Sequence, residues 1–182
     1  MTRPVRIVTL CTGNAARSVM AGVMLEQLAE HEGAAVEIVT AGTHVVEGQP
    51  MGMRTKQALV AVGELDTAGL GRHRSHQLTD ADCAWADVIV AMEADHVAYV
   101  RARHDAAGHK TSTIHRLARA LPVSPEPFGD RVTALNLAST DLAADRDVLD
   151  PAGGDQEDYD RCAAEIFELC QVLIALVGVP PG

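Results

Sequence analysis

The residues with the clearest chemical potential form a short loop near the amino terminus. The loop runs Cys11-Thr12-Gly13-Asn14-Ala15-Ala16-Arg17-Ser18, so that five residues separate a cysteine from an arginine. A helix N-terminus and a guanidinium close to Cys11 favour the thiolate, which is the nucleophilic form of cysteine. Arg17 offers a planar fork that can hold two oxygens of a tetrahedral anion. The pattern therefore predicts attack by the Cys11 sulfur on a bound oxyanion such as a phosphoryl group.

The other residues of the loop suit a backbone that surrounds an anion. Gly13 allows close approach of the backbone, and Asn14 tolerates the left-handed conformation that a tight loop can require. Ser18 could donate a hydrogen bond to the Cys11 sulfur. The alternative is that Cys11 is an ordinary buried cysteine at a strand end and Arg17 a surface residue. The predicted phosphate-binding loop consists of Thr12, Gly13, Asn14, Ala15, Ala16 and Ser18.

Phosphoryl transfer to sulfur also needs a proton donor for the leaving oxygen, and hydrolysis of the phosphocysteine needs a base. One carboxyl group can perform both steps in turn. Asp150 is the best candidate, because Pro151 stiffens the loop that would direct it. An Asp-Pro pair followed by glycines is equally a turn signal. The neighbouring carboxylates that compete for the role are Asp147, Asp155 and Asp158.

The hydrophobic pattern around these residues alternates between strands and helices. Such alternation predicts a doubly wound parallel sheet, in which ligands bind at the carboxyl ends of the strands. Cys11 follows the first strand and therefore lies where a ligand is expected. The predicted strands are 5–10, 36–40, 87–92 and 110–114, and the predicted helices are 18–31, 51–62, a helix starting at Thr79, 94–104, 131–144 and 156–177. Residues 66–77 are expected to form a loop, and residues 122–130 an irregular connection.

Length and charge limit the classes of protein that this chain can represent. A chain of 182 residues with 47% hydrophobic content suits one domain over residues 1–182. The formal net charge of −10 repels polyanions, so nucleic acids and anionic membranes are not expected as partners. An anionic substrate is still compatible with this charge, because one arginine and a few N–H groups can reverse the potential inside a single pocket.

The cysteines and the hydrophobic runs indicate the compartment. The four cysteines at positions 11, 83, 162 and 170 include no CxxC pair, so neither a disulfide framework nor a zinc site is expected. The first apolar run is too short for a signal peptide, and no later run reaches the length of a membrane span. We therefore expect a cytoplasmic protein.

The loop and four further segments resemble the low-molecular-weight protein tyrosine phosphatase family, which shares its scaffold with one class of arsenate reductases. The likeness covers most of residues 5–106 and 147–177, and five matches in the same order are more specific than any one of them. The further segments are Thr40-Ala41-Gly42-Thr43, His73-Arg74-Ser75-His76-Gln77-Leu78-Thr79, Ala86-Asp87-Val88-Ile89-Val90-Ala91-Met92 and Asp150-Pro151.

This resemblance implies both a fold and an activity. The fold would be a flavodoxin-like three-layer α/β sandwich, with a four-stranded parallel sheet and helices on both faces. The activity would be hydrolysis of phosphotyrosine, or another aryl phosphate, through a phosphocysteine, with no metal and no cofactor. The substrate would be a phosphotyrosine protein or a small phosphate monoester. The resemblance implies Cys11, Arg17 and Asp150 as catalytic residues, and Ser18, Thr40 and His73 as residues that hold Asn14 in place.

The chain departs from the family pattern at three places. Many relatives carry a second cysteine where this chain has Ala16, so a protective disulfide within the loop is not available. Aromatic residues usually follow the Asp-Pro pair, but Ala152 and Gly153 follow it here. A phosphotyrosine ring would therefore lose one stacking surface. Residues 107–146 form a longer connection than is usual in the family.

Two other functions are compatible with this loop. Arsenate resembles phosphate, so the chain could be an arsenate reductase that uses an external low-molecular-weight thiol. A resolving cysteine is not expected within the chain, because Met92 occupies the relevant strand end and Cys83 lies on a predicted helix. The second alternative is a phosphate-binding or phosphotyrosine-binding module without turnover. The presence of Cys11, Arg17 and Asp150 argues against it, because binding alone requires neither a nucleophile nor an acid.

Overall fold

The computed structural model describes residues 3–178, and its central element is a four-stranded parallel sheet. The strand order is β2-β1-β3-β4, which places β1 in the interior of the sheet. Strands β1 and β2 are paired from Val5 with Val36 to Cys11 with Gly42. The strands are β1 (Val5–Cys11), β2 (Val36–Gly42), β3 (Val88–Ala91) and β4 (Thr111–Thr113).

Seven α-helices surround this sheet in the described residues. The two longest are α1 (Arg17–Glu32) and α7 (Gln156–Val177), which pack against each other. The others are α2 (Met53–Val62), α3 (Asp80–Trp85), α4 (Ala94–Arg103), α5 (Ile114–Ala120) and α6 (Phe128–Ala134). Within residues 3–178, no helix has both the length and the apolar composition needed to cross a lipid bilayer.

Strands β1, β3 and β4 are largely buried on both faces, as the β-branched strands predict, whereas most of the edge strand β2 is only partly buried. Successive residues of β1 point to opposite faces, so Ile7 joins the core under α1 and α7, whereas Val8 and Leu10 join the core with α3 and α4. This arrangement is the flavodoxin-like three-layer sandwich predicted above. Cys11 is the last residue of the interior strand, at the carboxyl edge of the sheet.

Close packing of α1 on β2 depends on Gly22. A Cβ atom at this position would lie 2.4 Å from Cγ2 of Thr40. Because real Cβ contacts are not that short, only glycine allows the helix to approach the strand this closely. The first turn of α1, which begins at Arg17, is thereby held against the strands that carry Cys11 and Gly42.

The helix predicted over residues 131–144 is wrong in both its start and its length. Helix α6 begins at Phe128, within the segment expected to be irregular, and ends at Ala134. Asn136 then adopts a left-handed conformation with φ of 50°. Two short 3-10 turns, Leu137–Ser139 and Leu142–Ala144, replace the rest of the predicted helix. Arg101 of α4 donates hydrogen bonds to the carbonyls of Leu137 and Thr140, and these tertiary contacts stabilise the irregular path.

Candidate active site

The loop between β1 and α1 is the central element of the site. Strand β1 ends at Cys11, whose exposed fraction is 3%, and α1 begins at Arg17. Asn14 has a φ of 50°, which is the left-handed conformation expected of it. The backbone N–H groups from Gly13 to Arg17 have no hydrogen-bond acceptor among residues 3–178. Such a series of free N–H groups at a helix N-terminus is suited to binding an anion.

The side chain and carbonyl of Asn14 connect the loop to its surroundings. Its Nδ2 donates to Ser18 Oγ at 2.9 Å, and its Oδ1 accepts from the His76 N–H at 2.9 Å. The Asn14 carbonyl lies 2.9 Å from Nε2 of His73, which must carry the proton because a carbonyl oxygen only accepts. Burial lowers the pKa of His73 and favours this neutral tautomer.

Thr40 is not a partner of Asn14 among the described residues. It pairs with Thr9 in the sheet, and its methyl group faces Gly22 of α1. Ser18 and His73 therefore contact Asn14 as the resemblance implies, whereas Thr40 contacts the helix that follows the loop.

Ser18 is placed to stabilise the Cys11 sulfur. Its Oγ lies 3.0 Å from Cys11 Sγ. Because this oxygen already accepts a hydrogen bond from Asn14, its own proton is available for donation to the sulfur. A hydrogen bond to a thiolate favours the charged form of the sulfur.

Neighbouring elements hold the loop at three further points. The N–H of Thr43 donates to the Cys11 carbonyl and the N–H of His44 donates to the Thr12 carbonyl, each at 2.9 Å. On the other side, Thr55 of α2 donates from Oγ1 to the Ala15 carbonyl at 3.0 Å. The loop is thus anchored by the end of β2 and by α2.

Arg17 connects the loop to the segment that carries Asp150. The Arg17 side chain is only 2% exposed. Its Nη2 donates to Asp150 Oδ2 and its Nη1 donates to the Val148 carbonyl, both at 2.9 Å. Nη1 also donates to Glu93. Two carboxylates therefore orient a buried guanidinium beside the Cys11 loop.

Among the four competing carboxylates, the structure brings Asp150 to the loop. Asp147 accepts from the N–H of Ala94 at the start of α4. Asp155 and Asp158 form a capping box at the start of α7, in which each carboxylate accepts from the backbone N–H of the other. These three carboxylates are engaged at helix N-termini, whereas Asp150 is 43% exposed and faces the pocket.

A cavity of about 470 Å³ lies in front of the loop. Its floor contains Cys11 and Arg17, and its wall contains Met53, Arg54 and Tyr159. Ala152, which follows the Asp-Pro pair, adds only a methyl group to the wall. Tyr159 from α7 therefore provides the aromatic surface that residues 152 and 153 do not.

The sequence reasoning missed Glu93 and His96. They lie shortly after β3 with the spacing Glu-x-x-His, and they form a reciprocal cap at the start of α4. Glu93 contacts Arg17, and His96 lies 2.9 Å from Thr12 Oγ1. The signal was present, because strand β3 ends at the same edge of the sheet as Cys11, so polar residues after it are expected near the loop.

Comparisons with known proteins identify the family to which the chain is related. A family model described as low molecular weight phosphotyrosine protein phosphatase matches residues 6–179. A protein-arginine-phosphatase of Geobacillus stearothermophilus is 31% identical over 140 residues, which cover 76% of this chain and 89% of the relative. A protein-arginine-phosphatase of Bacillus subtilis (strain 168) is 31% identical over 167 residues, which cover 92% of this chain and 93% of the relative.

The fold is also similar to that of solved phosphatases. The YwlE arginine phosphatase from Geobacillus stearothermophilus superposes with a TM-score of 0.72 at 30% identity, over 94% of this chain and 92% of its own. The family model covers nearly the whole chain, and the two curated relatives are phosphatases of similar length. The chain therefore belongs to the low molecular weight phosphotyrosine protein phosphatase family.

Proposed function

We propose that this protein removes phosphoryl groups from protein side chains through a phosphocysteine formed on Cys11. The observation that carries the proposal is the placement of Arg17, which donates to Asp150 in the same cavity that Cys11 lines. A nucleophile, an anion-binding guanidinium and a partly exposed carboxyl group thus line one cavity. This combination is what stepwise phosphoryl transfer requires.

In the first step, Cys11 Sγ attacks phosphorus and the bond from phosphorus to the leaving atom breaks. Free N–H groups of the loop and the Arg17 guanidinium bind the equatorial oxygens as charge redistributes. Asp150 in its protonated form donates its proton to the leaving atom. Arg17 Nη2 donates to Asp150 Oδ2, and when the guanidinium binds the phosphoryl oxygens instead, Asp150 is free to protonate the leaving atom.

In the second step, water attacks the phosphocysteine. Asp150, now a carboxylate, accepts a proton from this water, and the bond between phosphorus and sulfur breaks. Inorganic phosphate leaves, and the Cys11 thiolate is regenerated with a hydrogen bond from Ser18. All the groups in these two steps are supplied by the protein, the substrate and water.

Phosphotyrosine is the first candidate substrate. The cavity wall contains Tyr159 and Met53, and the latter is 68% exposed. An aromatic ring and a thioether both make favourable contacts with the face or edge of a phenol ring. This wall supports binding of an aryl phosphate although Ala152 follows the Asp-Pro pair.

Phosphoarginine is the second candidate, because two relatives that are 31% identical are protein-arginine-phosphatases. The small side chains of Ala15 and Ala152 leave room for a branched guanidinium in the cavity. Arg54 at the cavity wall disfavours phosphoarginine as a substrate, because its positive charge repels a cationic leaving group. The two substrates therefore need a direct comparison.

The deciding experiment measures phosphate release from para-nitrophenyl phosphate, a phosphotyrosine peptide and a phosphoarginine peptide of the same sequence, all with chelator present. We expect turnover by the wild-type protein and none by Cys11→Ala. Alanine is chosen over serine because a serine at position 11 would still carry a hydroxyl that can act as a nucleophile. The ratio of kcat/KM between the two peptides identifies the preferred side chain.

Acid quenching during turnover should trap phosphate on Cys11 in Asp150→Ala, which slows hydrolysis of the intermediate. Residual turnover by folded Cys11→Ala would refute the proposed nucleophile. If the folded wild-type protein releases no phosphate from any of the three substrates, arsenate reduction with a low-molecular-weight thiol becomes the next reaction to measure, followed by phosphate binding without turnover.

A further inference from the structure

His96 is a buried polar residue that contacts the Cys11 loop at Thr12. It lies in the first turn of α4, directly after β3, and its exposed fraction is 3%. Its ring makes two hydrogen bonds, one to the backbone of Glu93 and one to the side chain of Thr12. A buried histidine that bonds both a helix N-terminus and a phosphate-binding loop can fix the position of the loop relative to the helix.

The two hydrogen bonds define the protonation state of the ring. Nδ1 lies 3.1 Å from the Glu93 nitrogen and accepts from its N–H, so this ring nitrogen carries no proton. The proton is then on Nε2, which lies 2.9 Å from Thr12 Oγ1 and donates to it. Only the neutral ring in this tautomer can make both bonds at once. Burial, together with the nearby charge of Arg17, lowers the pKa of His96 to about 4 and keeps the ring neutral near pH 7.

The two partners of His96 control different parts of the site. Thr12 directly follows the nucleophile, and its carbonyl accepts a hydrogen bond from the N–H of His44. Glu93 caps α4 and accepts a hydrogen bond from Arg17. Nε2 of His96 also lies 3.4 Å from Glu93 Oε2, which limits the orientations of this carboxylate.

We propose that His96 is a positioning residue that fixes Thr12 and, through the Glu93 cap, the Arg17 guanidinium in the arrangement used for phosphoryl transfer. The inference rests on the proposed function, but it concerns a residue to which neither the family resemblance nor the loop pattern gives a role. His96 does not line the cavity, so it acts through Thr12 and Glu93 and not on the substrate.

Two substitutions separate the two hydrogen bonds. His96→Gln retains an amide donor near the position of Nε2 but has no acceptor at that of Nδ1. His96→Asn retains an acceptor near Nδ1 but is too short to reach Thr12. Thr12→Val removes the acceptor of the same bond while preserving the shape of the side chain. Thr12→Ser, which restores a hydroxyl, tests whether the bond or the methyl group matters.

We expect the effect of Thr12→Val on kcat to depend on whether residue 96 can donate a hydrogen bond to Thr12. Thr12→Val should lower kcat about tenfold in the wild-type and His96→Gln backgrounds, with a small change in KM, because a lost hydrogen bond and a displaced loop act on the transition state. In the His96→Asn background the same substitution should have no further effect. Thr12→Ser should recover most of the loss.

His115→Asn is the matched control for removing a partly buried histidine, because His115 contacts Glu165 and neither residue contacts the loop or lines the cavity. It should lower stability without changing kcat. Equal effects of Thr12→Val in the wild-type, His96→Gln and His96→Asn backgrounds would overturn the proposal. An unchanged kcat in His96→Asn would also overturn it.

A second measurement separates failure of this inference from failure of the proposed function. Binding of inorganic phosphate to the same variants, measured by calorimetry, does not require turnover. If the wild-type protein is inactive but binds phosphate, the same pattern of coupling in phosphate affinity would support positioning by His96. If the wild-type protein is inactive, phosphate affinities that are identical in the wild-type protein, His96→Asn and Thr12→Val, or no phosphate binding by any of them, would refute it.

Discussion

At the scale of single residues, the site is organised by what each carboxylate contacts. Asp147, Asp155 and Asp158 are within eight residues of Asp150 in sequence, yet each is bound to a helix N-terminus. Asp150 instead contacts Arg17 in front of the loop. Sequence spacing cannot separate these four residues, because capping and catalysis use the same chemical group.

The first residue-scale prediction concerns Asp150→Asn, which retains an oxygen that can accept from Arg17 but has no proton to transfer. We expect kcat to fall by roughly 10²–10⁴-fold for substrates with poor leaving groups, because the leaving atom is no longer protonated. Para-nitrophenolate leaves without help, so formation of its phosphoenzyme should change much less. Asp155→Asn is the control, since asparagine also caps helices. A uniform loss for all substrates would instead indicate a structural role for Asp150.

The second residue-scale prediction concerns oxidation of Cys11. Burial raises the pKa of Cys83 to about 11 and that of Cys162 to about 12, and it also raises the pKa of Cys170. None of these thiols is a thiolate near pH 7, so none is suited to attack a Cys11 sulfenic acid. Ala16, at the loop position where many relatives carry a second cysteine, has no thiol that could react with the sulfenic acid.

Peroxide should therefore oxidise Cys11 to the sulfinic acid, with activity that dithiothreitol does not restore. Ala16→Cys should make the inactivation reversible by supplying a resolving thiol. Mass spectrometry of the oxidised protein checks both statements. A Cys11–Cys162 disulfide in the wild-type protein would contradict the prediction.

At the scale of secondary-structure elements, the end of β2 is as important to the loop as β1. A Cβ atom at Gly42 would lie 2.5 Å from the Thr12 carbonyl oxygen and 2.9 Å from the Asn14 nitrogen. Both neighbours are backbone atoms, so the loop itself would have to move. The Thr-Ala-Gly-Thr segment therefore has a steric role that its resemblance to the family did not explain.

Gly42→Ala should accordingly lower kcat/KM by about 10²-fold, because the displaced loop no longer matches the phosphoryl oxygens. It should also lower the free energy of unfolding by about 1–3 kcal/mol. Gly129→Ala is the matched control, since a Cβ there meets no atom within 4 Å. Phosphatase assays and urea unfolding of both variants provide the comparison, and equal behaviour of the two would refute the steric role.

At the scale of the whole molecule, the sequence predicted the elements that depend on local pattern. Alternating strands and helices, the approximate ends of helices α1 and α2 and the position of Cys11 were all available from residue order. The bounds of helix α6 could not be predicted in this way. The chain after the helix follows an irregular course because Asn136 is left-handed and Arg101 donates to the carbonyl of Thr140. Glu93 and His96 were missed for a related reason, since their importance depends on contacts across 76 and 84 residues.

The last prediction concerns the stability of the whole molecule as the pH changes. The pKa of His96 is lowered to about 4 in the folded protein, chiefly by burial and secondly by Arg17, with Asp150 acting in the opposite direction. In the unfolded chain its pKa is about 6.5. Above pH 6.5 the ring is neutral in both states and makes no contribution to the pH dependence.

Between pH 6.5 and 4 the unfolded chain takes up a proton that the folded protein does not, so the free energy of unfolding must fall with pH in this interval. The two pKa values are about 2.5 apart, which corresponds to a loss of about 3 kcal/mol by pH 4. In His96→Asn this component is absent, so its free energy of unfolding should decline less steeply over the same interval. Urea unfolding of both proteins at pH 7.5, 5.5 and 4.5 measures the difference, and parallel curves would show that His96 titrates normally in the folded protein.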